Sequence, residues 1–279
     1  MITTVAAVAA NFGRDLDAAF AQISAILADA RARGASLVVL PEATLGGYLA
    51  DLGGGAVPLP PALNVDGPEV RRLAELAGDM VVTAGLCEAD GEQRYNTAVA
   101  VTGDGVLGVH RKVHQPLGEG ASYAAGDRFE AFDTPVGRLG MMICYDKAFP
   151  EAARALALDG AEIVACMSAW PTARTNASPD LATDRWTRRF DLFDRARALE
   201  NQVLWVSANQ SGTFGSLRFV ASAKVVDVGG DVLATTGVGE GVAYADVDLA
   251  AMLGAARGGG MFHLRDRRTD TYALTGAGV

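Results

Sequence analysis

Short segments that are apolar on both parities, alternating with amphipathic stretches, constrain this chain more than any other feature. Val5-Ala6-Ala7-Val8-Ala9-Ala10 carries no polar residue, and neither does Leu37-Val38-Val39-Leu40. A strand of that kind is buried on both faces. Between the two runs, Leu16, Phe20, Ile23, Ile26 and Leu27 recur at helical spacing, with Arg14, Asp15, Asp17, Gln22 and Asp29 among them. That spacing predicts a helix with one buried face. Gly34 closes the helix and Pro41 breaks the second strand, so the chain opens β-α-β.

The alternation continues. After the rigid loop Pro58-Leu59-Pro60-Pro61, Pro68 opens a second helix carrying Val70, Leu73, Leu76 and Ala77. Strands are expected over residues 80–86, 95–101 and 106–110, with Gly103-Asp104-Gly105 turning between the last two. Two more strands flank Thr134-Pro135-Val136-Gly137 between residues 129 and 144. A helix over 149–158, a strand over 162–167, a loop over 168–180, a helix over 182–201 and a strand over 203–208 follow. The chain is then strand-rich to about residue 246. Helices alternate with strands in both halves, but long strand-only stretches lie between. The pattern predicts an α/β fold in which two sheets pack on each other with helices outside. No linker divides the chain, so one domain over residues 1–279 is expected, with a C-terminal tail from about residue 256. Gly258-Gly259-Gly260 marks the start of that tail, a candidate for packing on a neighbouring subunit.

Half of the 279 residues are hydrophobic, ample for a core, and the formal net charge is −9. An excess of acid argues against nucleic-acid partners, which need Lys and Arg opposite phosphate, and against anionic membranes. The apolar start lacks a basic leader and is closed by Asn11-Phe12-Gly13-Arg14-Asp15, so a buried strand explains it better than a signal peptide. No window is apolar enough to span a bilayer. Cys87, Cys144 and Cys166 are widely spaced, and His110, His114 and His263 lack zinc-ligand spacing. Neither a disulfide scaffold nor a metal site is expected, and reduced thiols fit the cytoplasm.

Three strand ends carry chemistry. The apolar run of Gly137-Arg138-Leu139-Gly140-Met141-Met142-Ile143 stops at Cys144, just before a helix. A thiol there is fixed by rigid structure yet open to a ligand above the sheet edge. Glu42 follows Leu37-Val38-Val39-Leu40-Pro41, where partial burial tunes a carboxylate towards general-base work. Lys112 follows the strand ending at His110. Each residue alone also fits an ordinary role: a packed thiol, a loop carboxylate, a solvated amine. Together they make a nucleophilic site in which Glu42 takes the thiol proton and Lys112 steadies thiolate and oxyanion.

The motifs Pro41-Glu42, His110-Arg111-Lys112-Val113-His114 and Ile143-Cys144-Tyr145-Asp146, in this order, resemble the Glu-Lys-Cys triad of the nitrilase superfamily of carbon–nitrogen hydrolases. Gly118-Glu119-Gly120, Tyr123-Ala124-Ala125-Gly126, Phe149-Pro150-Glu151, Gly160-Ala161-Glu162-Ile163 and Arg195-Ala196-Arg197-Ala198-Leu199-Glu200-Asn201-Gln202 extend the likeness over nearly the whole chain. The resemblance implies a four-layer α-β-β-α sandwich. It implies a homodimer or higher homo-oligomer, with the helices after Cys144 and around Phe190 to Leu199 in the interface. It assigns Glu119 to orienting the lysine, and the Tyr145 backbone N–H, with Lys112, to the oxyanion hole. The implied reaction passes through a cysteine thioester, releases ammonia and needs no cofactor.

The substrate class stays open between a small amide, an N-carbamoyl compound and a nitrile. The helix after Cys144 resembles the amidase and carbamoylase branches, whereas the loop from Pro41 to Tyr48 is closer to the nitrilases. Tyr48 and Trp170 are candidate pocket walls, and Arg174 a candidate partner for a substrate carboxylate. His110 and His114 are expected to support the site or lie at the surface, and Cys87 and Cys166 to pack inertly. A catalytically silent binding or scaffold protein is the reading from another class, which the intact Glu42, Lys112 and Cys144 disfavour.

Overall fold

The computed structural model describes residues 2–53 and 58–272. In chain order the strands and helices are β1 (Thr3–Ala10), α1 (Leu16–Ala32), β2 (Ala35–Val39), α2 (Pro68–Ala77), β3 (Val81–Asp90), β4 (Gln93–Thr102) and β5 (Gly105–Arg111). Then come β6 (Ala131–Thr134), β7 (Gly137–Ile143), α3 (Pro150–Leu158), β8 (Ile163–Ser168), α4 (Arg185–Asn201) and β9 (Leu204–Gln210). The last are β10 (Thr213–Phe214), β11 (Leu217–Arg218), β12 (Lys224–Val226), β13 (Val232–Thr235), β14 (Gly241–Val247) and α5 (Leu249–Gly258).

The expected pair of sheets is present as two halves of one continuous strand order, β5-β4-β3-β2-β1-β9-β8-β7-β6. The halves meet at one corner, where β1 pairs with β9 in parallel at Ala9↔Asn209 and Ala10↔Gln210. β14 lies antiparallel on β1, and β12 antiparallel on β9. The parity of β1 shows why four layers form. Val5, Ala7 and Ala9 join Leu139, Met141, Ile143, Ala165 and Val206 in a core between the halves. Ala6, Val8 and Ala10 face Phe20, Ile23 and Leu27 of α1. On the other side, Met142, Val164 and Trp205 meet Ala153 and Leu156 of α3 and Ala198 of α4. Each strand apolar on both faces thus has a sheet on one side and a helix on the other.

Several boundaries differ from expectation: β3 runs on to Asp90, β4 starts at Gln93 and β9 ends at Gln210. α4 starts at Arg185, later than residue 182, because Asp184 caps it and a separate helical turn, Leu181–Thr183, precedes the cap. The tail is preceded by an unexpected helix, α5, capped by Asp248 and built almost wholly of Ala, Leu, Met and Gly. Beyond it, the His263 N–H donates to Gln202 Oε1 at 2.9 Å, so the start of the tail packs on its own chain. Residues 273–279 of the expected tail lie outside the described residues. Among the described residues no helix is long and apolar enough to cross a membrane.

Candidate active site

Glu42, Cys144 and Ala169 leave the carboxyl ends of β2, β7 and β8, and Lys112 leaves β5. Ends of parallel strands are where open α/β sheets present ligand-binding groups. Two glycines permit the backbone approach that carries the charges inward. A Cβ on Gly85 of β3 would fall 2.3 Å from the Ala43 nitrogen, against the turn that holds Glu42. A Cβ on Gly126 would fall 2.1 Å from the Arg111 carbonyl oxygen, while the Gly126 N–H donates to the Lys112 carbonyl at 2.8 Å. Either position substituted by alanine would push a charged residue out of register.

The structure brings Glu42, Lys112 and Glu119 together with their side chains fully buried. Lys112 Nζ donates to Glu42 Oε1 at 2.9 Å and to Glu119 Oε2 at 2.7 Å. Asn96 Nδ2 spans the same pair, reaching Glu42 Oε1 at 2.6 Å and Glu119 Oε1 at 2.7 Å. The Ala169 N–H donates to Glu42 Oε2 at 2.6 Å, and Gln210 Nε2 to the Glu42 carbonyl at 2.8 Å. An ammonium has three protons. Two are engaged here, which leaves one for a ligand.

Cys144 begins a helical turn, Cys144–Ala148, with φ +50°. That left-handed conformation is strained for a residue with a side chain and recurs where a nucleophile is presented. The thiol lines a cavity of about 610 Å³. Burial pushes its pKa well above the usual thiol value and the Glu42 charge adds to this, while Lys112 and the Ala169 amide pull towards the anion. Burial thus favours the neutral thiol over the thiolate. Burial pulls the Lys112 ammonium down, but Glu119 and Glu42 outweigh it and hold its pKa well above that of a free lysine. Burial raises the Glu119 carboxyl against the pull of Lys112. Tyr145, second in the turn, presents one of the N–H groups that a helix start leaves without intrahelical partners.

The turn is braced from two sides. Asp146 accepts from the Ile143 N–H at 3.1 Å, the His114 N–H at 2.8 Å, and pairs with His114 Nδ1 at 2.9 Å and His110 Nε2 at 3.1 Å. The histidines flanking Lys112 thus tie the lysine segment to the cysteine turn. On the other side, buried Lys147 Nζ donates to Asp194 Oδ1 of α4 at 2.6 Å, and Arg197 Nε to the Lys147 carbonyl at 2.9 Å. Burial raises the Asp146 carboxyl, but its hydrogen bonds to His110 and His114 outweigh this and hold it at about 2, below the usual 3.8. A carboxylate depressed on folding stabilises the fold above its unfolded value and loses that contribution as pH falls through its folded one. The drop corresponds to about 2 kcal/mol. Asp146→Asn is expected to cost at least about 2 kcal/mol at pH 7 and to flatten the stability loss between about pH 4 and pH 2. Urea titrations across that range measure both; an acid limb identical to wild type contradicts the assignment.

Among the candidate pocket residues, Tyr48, Tyr145 and Trp170 line the Cys144 cavity. The Lys112 ammonium lies 5.7 Å from the Tyr48 ring centre. Trp170 is held through its backbone, its N–H donating to Asn209 Oδ1 at 2.7 Å. Arg174 does not reach this cavity. It is exposed in a separate depression with Asp51 and Ser216. Cys87 and Cys166 are buried and free, and burial pushes the Cys166 thiol up to about 12. Asn96, Asp146 and Gln210 are site residues that sequence reasoning missed. Asn96 left a signal: it shares the parity of Ala98 and Ala100, the inward face of β4. Among the described residues no cluster of His, Cys, Asp and Glu is arranged to hold a metal ion.

This chain is similar to known proteins in both sequence and fold. A sequence model of the carbon–nitrogen hydrolase family matches residues 4–257. A probable nitrilase of Schizosaccharomyces pombe is 34% identical over 221 residues, covering 77% of this chain and 76% of that one. A carbon–nitrogen hydrolase from Helicobacter pylori superposes with a TM-score of 0.80 at 26% identity, covering 97% of each chain. An amidase from Nesterenkonia sp. superposes with a TM-score of 0.76 at 25% identity, covering 97% of this chain and 94% of that one. That structure is of a mutant of the amidase, a glutamate-to-glutamine substitution, and shows covalent addition of the acetamide moiety of fluoroacetamide at the active-site cysteine.

Proposed function

Because this chain belongs to the carbon–nitrogen hydrolase family of the nitrilase superfamily, we propose that Glu42, Lys112 and Cys144 hydrolyse a small amide or N-carbamoyl compound through a thioester on Cys144, releasing ammonia. The observation that carries this reading is a buried ammonium held between two buried carboxylates, beside a thiol on a strained turn. The covalent adduct at the cysteine of the related amidase supports it.

The chemistry follows from the atoms. The amide carbonyl enters with its oxygen towards the remaining Lys112 proton and the Tyr145 N–H. Cys144 Sγ attacks the carbonyl carbon and Glu42 accepts the thiol proton. The two donors hold the oxyanion; loss of one such donor typically costs about 3 kcal/mol of barrier. Glu42 hands its proton to the nitrogen, the carbon–nitrogen bond breaks and ammonia leaves. Water then attacks the thioester, Glu42 takes its proton, and the thiol re-forms as the acid departs. Glu119 keeps Lys112 aimed and charged throughout. The sum is amide plus water to acid plus ammonia.

An ammonia-release screen across primary amides, carbamoyl compounds and nitriles tests this. Release from amides or carbamoyl compounds is expected; release from nitriles alone would move the enzyme to the nitrilase reading, and none at all would leave a silent binding protein. We also place a second copy of the chain on α3 and α4, where Leu158 and Leu199 are 52% and 47% exposed. Sedimentation of wild type as a single chain would overturn that placement. The three buried free thiols support a reducing, cytoplasmic setting. The family match over residues 4–257 supports reading the chain as one hydrolase domain.

A further inference from the structure

We propose that the acyl side of the substrate is bulky and apolar and ends in a carboxylate that Arg189 binds at the cavity mouth. This rests on the hydrolytic reading above and specifies what its site accepts.

The group that leaves is ammonia, so the rest of the substrate must occupy the cavity in front of Cys144. At about 610 Å³ that cavity is far larger than an acetyl group needs and lies in the range of drug-sized ligands. Its walls set the chemistry. Trp170 stands edge-on to Trp186, with centroids 6.2 Å apart, and edge-on to Phe193 at 6.1 Å. The Trp170 indole N–H is already satisfied, donating to the Trp186 carbonyl at 3.1 Å. Trp170 therefore offers the cavity a ring rather than a hydrogen bond. Aromatic walls favour apolar, preferably aromatic, groups.

One cation interrupts this lining. α4 presents Trp186, Arg189, Leu192 and Phe193 to the cavity, at the three- and four-residue spacing of one helix face. No Asp or Glu is among the cavity-lining residues. Among the described residues the Arg189 guanidinium has no hydrogen-bond or ion-pair partner. Arg189 is exposed, so its guanidinium sits where solvent and a ligand at the cavity mouth can both reach it. A guanidinium presents paired N–H groups that match a carboxylate. Arg174, the arginine that sequence suggested for this task, instead faces Asp51 in another depression.

The test compares three primary amides: acetamide, a neutral amide with a phenyl-bearing acyl chain, and the same amide with a carboxylate on the ring. Wild type is expected to prefer the phenyl amide to acetamide, and the carboxylated amide to the neutral one by about ten-fold in kcat/KM, mostly through KM. Arg189→Ala is expected to bring the charged-to-neutral ratio close to one, and Arg189→Lys to retain part of it. Because the ratio is read on one preparation, loss of folded protein cannot mimic the effect. A ratio unchanged by Arg189→Ala overturns the assignment, and acetamide as the best substrate overturns the apolar acyl class. No ammonia from any amide would take down the hydrolytic reading and this inference with it.

Discussion

Cys144→Ala is expected to lower kcat by at least about 10⁴-fold while the protein stays folded. The sulfur is the only atom of the protein that bonds to the substrate carbon in the proposed reaction. The turn that presents it is held by other groups: Asp146 through the Ile143 N–H at 3.1 Å, and Lys147 through Asp194 at 2.6 Å. Removing the sulfur leaves those anchors and enlarges a space already open to the cavity. The penalty should therefore fall on turnover. Cys144→Ser is expected to rescue little, because a hydroxyl is far less acidic than a thiol and Glu42 would have to remove a more tightly held proton. Ammonia release together with thermal unfolding measures both sides. A Cys144→Ala protein turning over within ten-fold of wild type would remove the nucleophile from the account.

Lys112→Met is expected to damage both activity and stability. It removes one oxyanion donor, which alone slows catalysis by about 10²- to 10³-fold. It also strips the charge partner from Glu42 and Glu119, both fully buried and then joined only through Asn96. Breaking a buried pair by removing one partner costs about 3–5 kcal/mol. Glu119 already has a raised pKa through burial, so it is the carboxyl expected to take up a proton in response. That gives a control. Adding Glu119→Gln to Lys112→Met removes one of the two facing charges and should recover stability without recovering turnover. Denaturant unfolding alongside kcat separates the effects. A Lys112→Met protein as stable as wild type and nearly as active would show that the ammonium is a bystander.

The sequence exposed the fold through its most constrained segments. Val5 to Ala10 can be buried on both faces only inside a layered structure, and α1 shows its buried stripe because Phe20, Ile23 and Leu27 recur at helical spacing between the polar ends marked by Asp17 and Asp29. Where α5 forms, apolar residues and alanines give little contrast between faces, so periodicity is silent there. The corner between β1 and β9 is a long-range pairing of residues about two hundred positions apart, which no local pattern encodes. The same holds for the site. Glu42, Lys112 and Cys144 stand out because each ends a strand in a residue too polar or too reactive for its setting. Asn96, Asp146 and Gln210 act through partners from other strand ends, so their roles appear only once the strands are side by side. Arg174 and Arg189 show the limit most plainly: both are basic residues near Trp170 in sequence, and only the direction of α4 puts one of them at the cavity.

The proposed reaction needs a carboxylate, an ammonium and a sulfur acting on one carbonyl, with the sulfur acylated on the way. Glu42→Gln slows the attack of water, and a 4-nitrophenyl ester of the substrate acid supplies a leaving group that needs no proton. Intact mass and peptide mapping of Glu42→Gln after exposure to that ester should place one acyl group on Cys144 and none on the double variant Glu42→Gln/Cys144→Ala. An acyl group carried on any other residue, or the same label on the double variant, would contradict it.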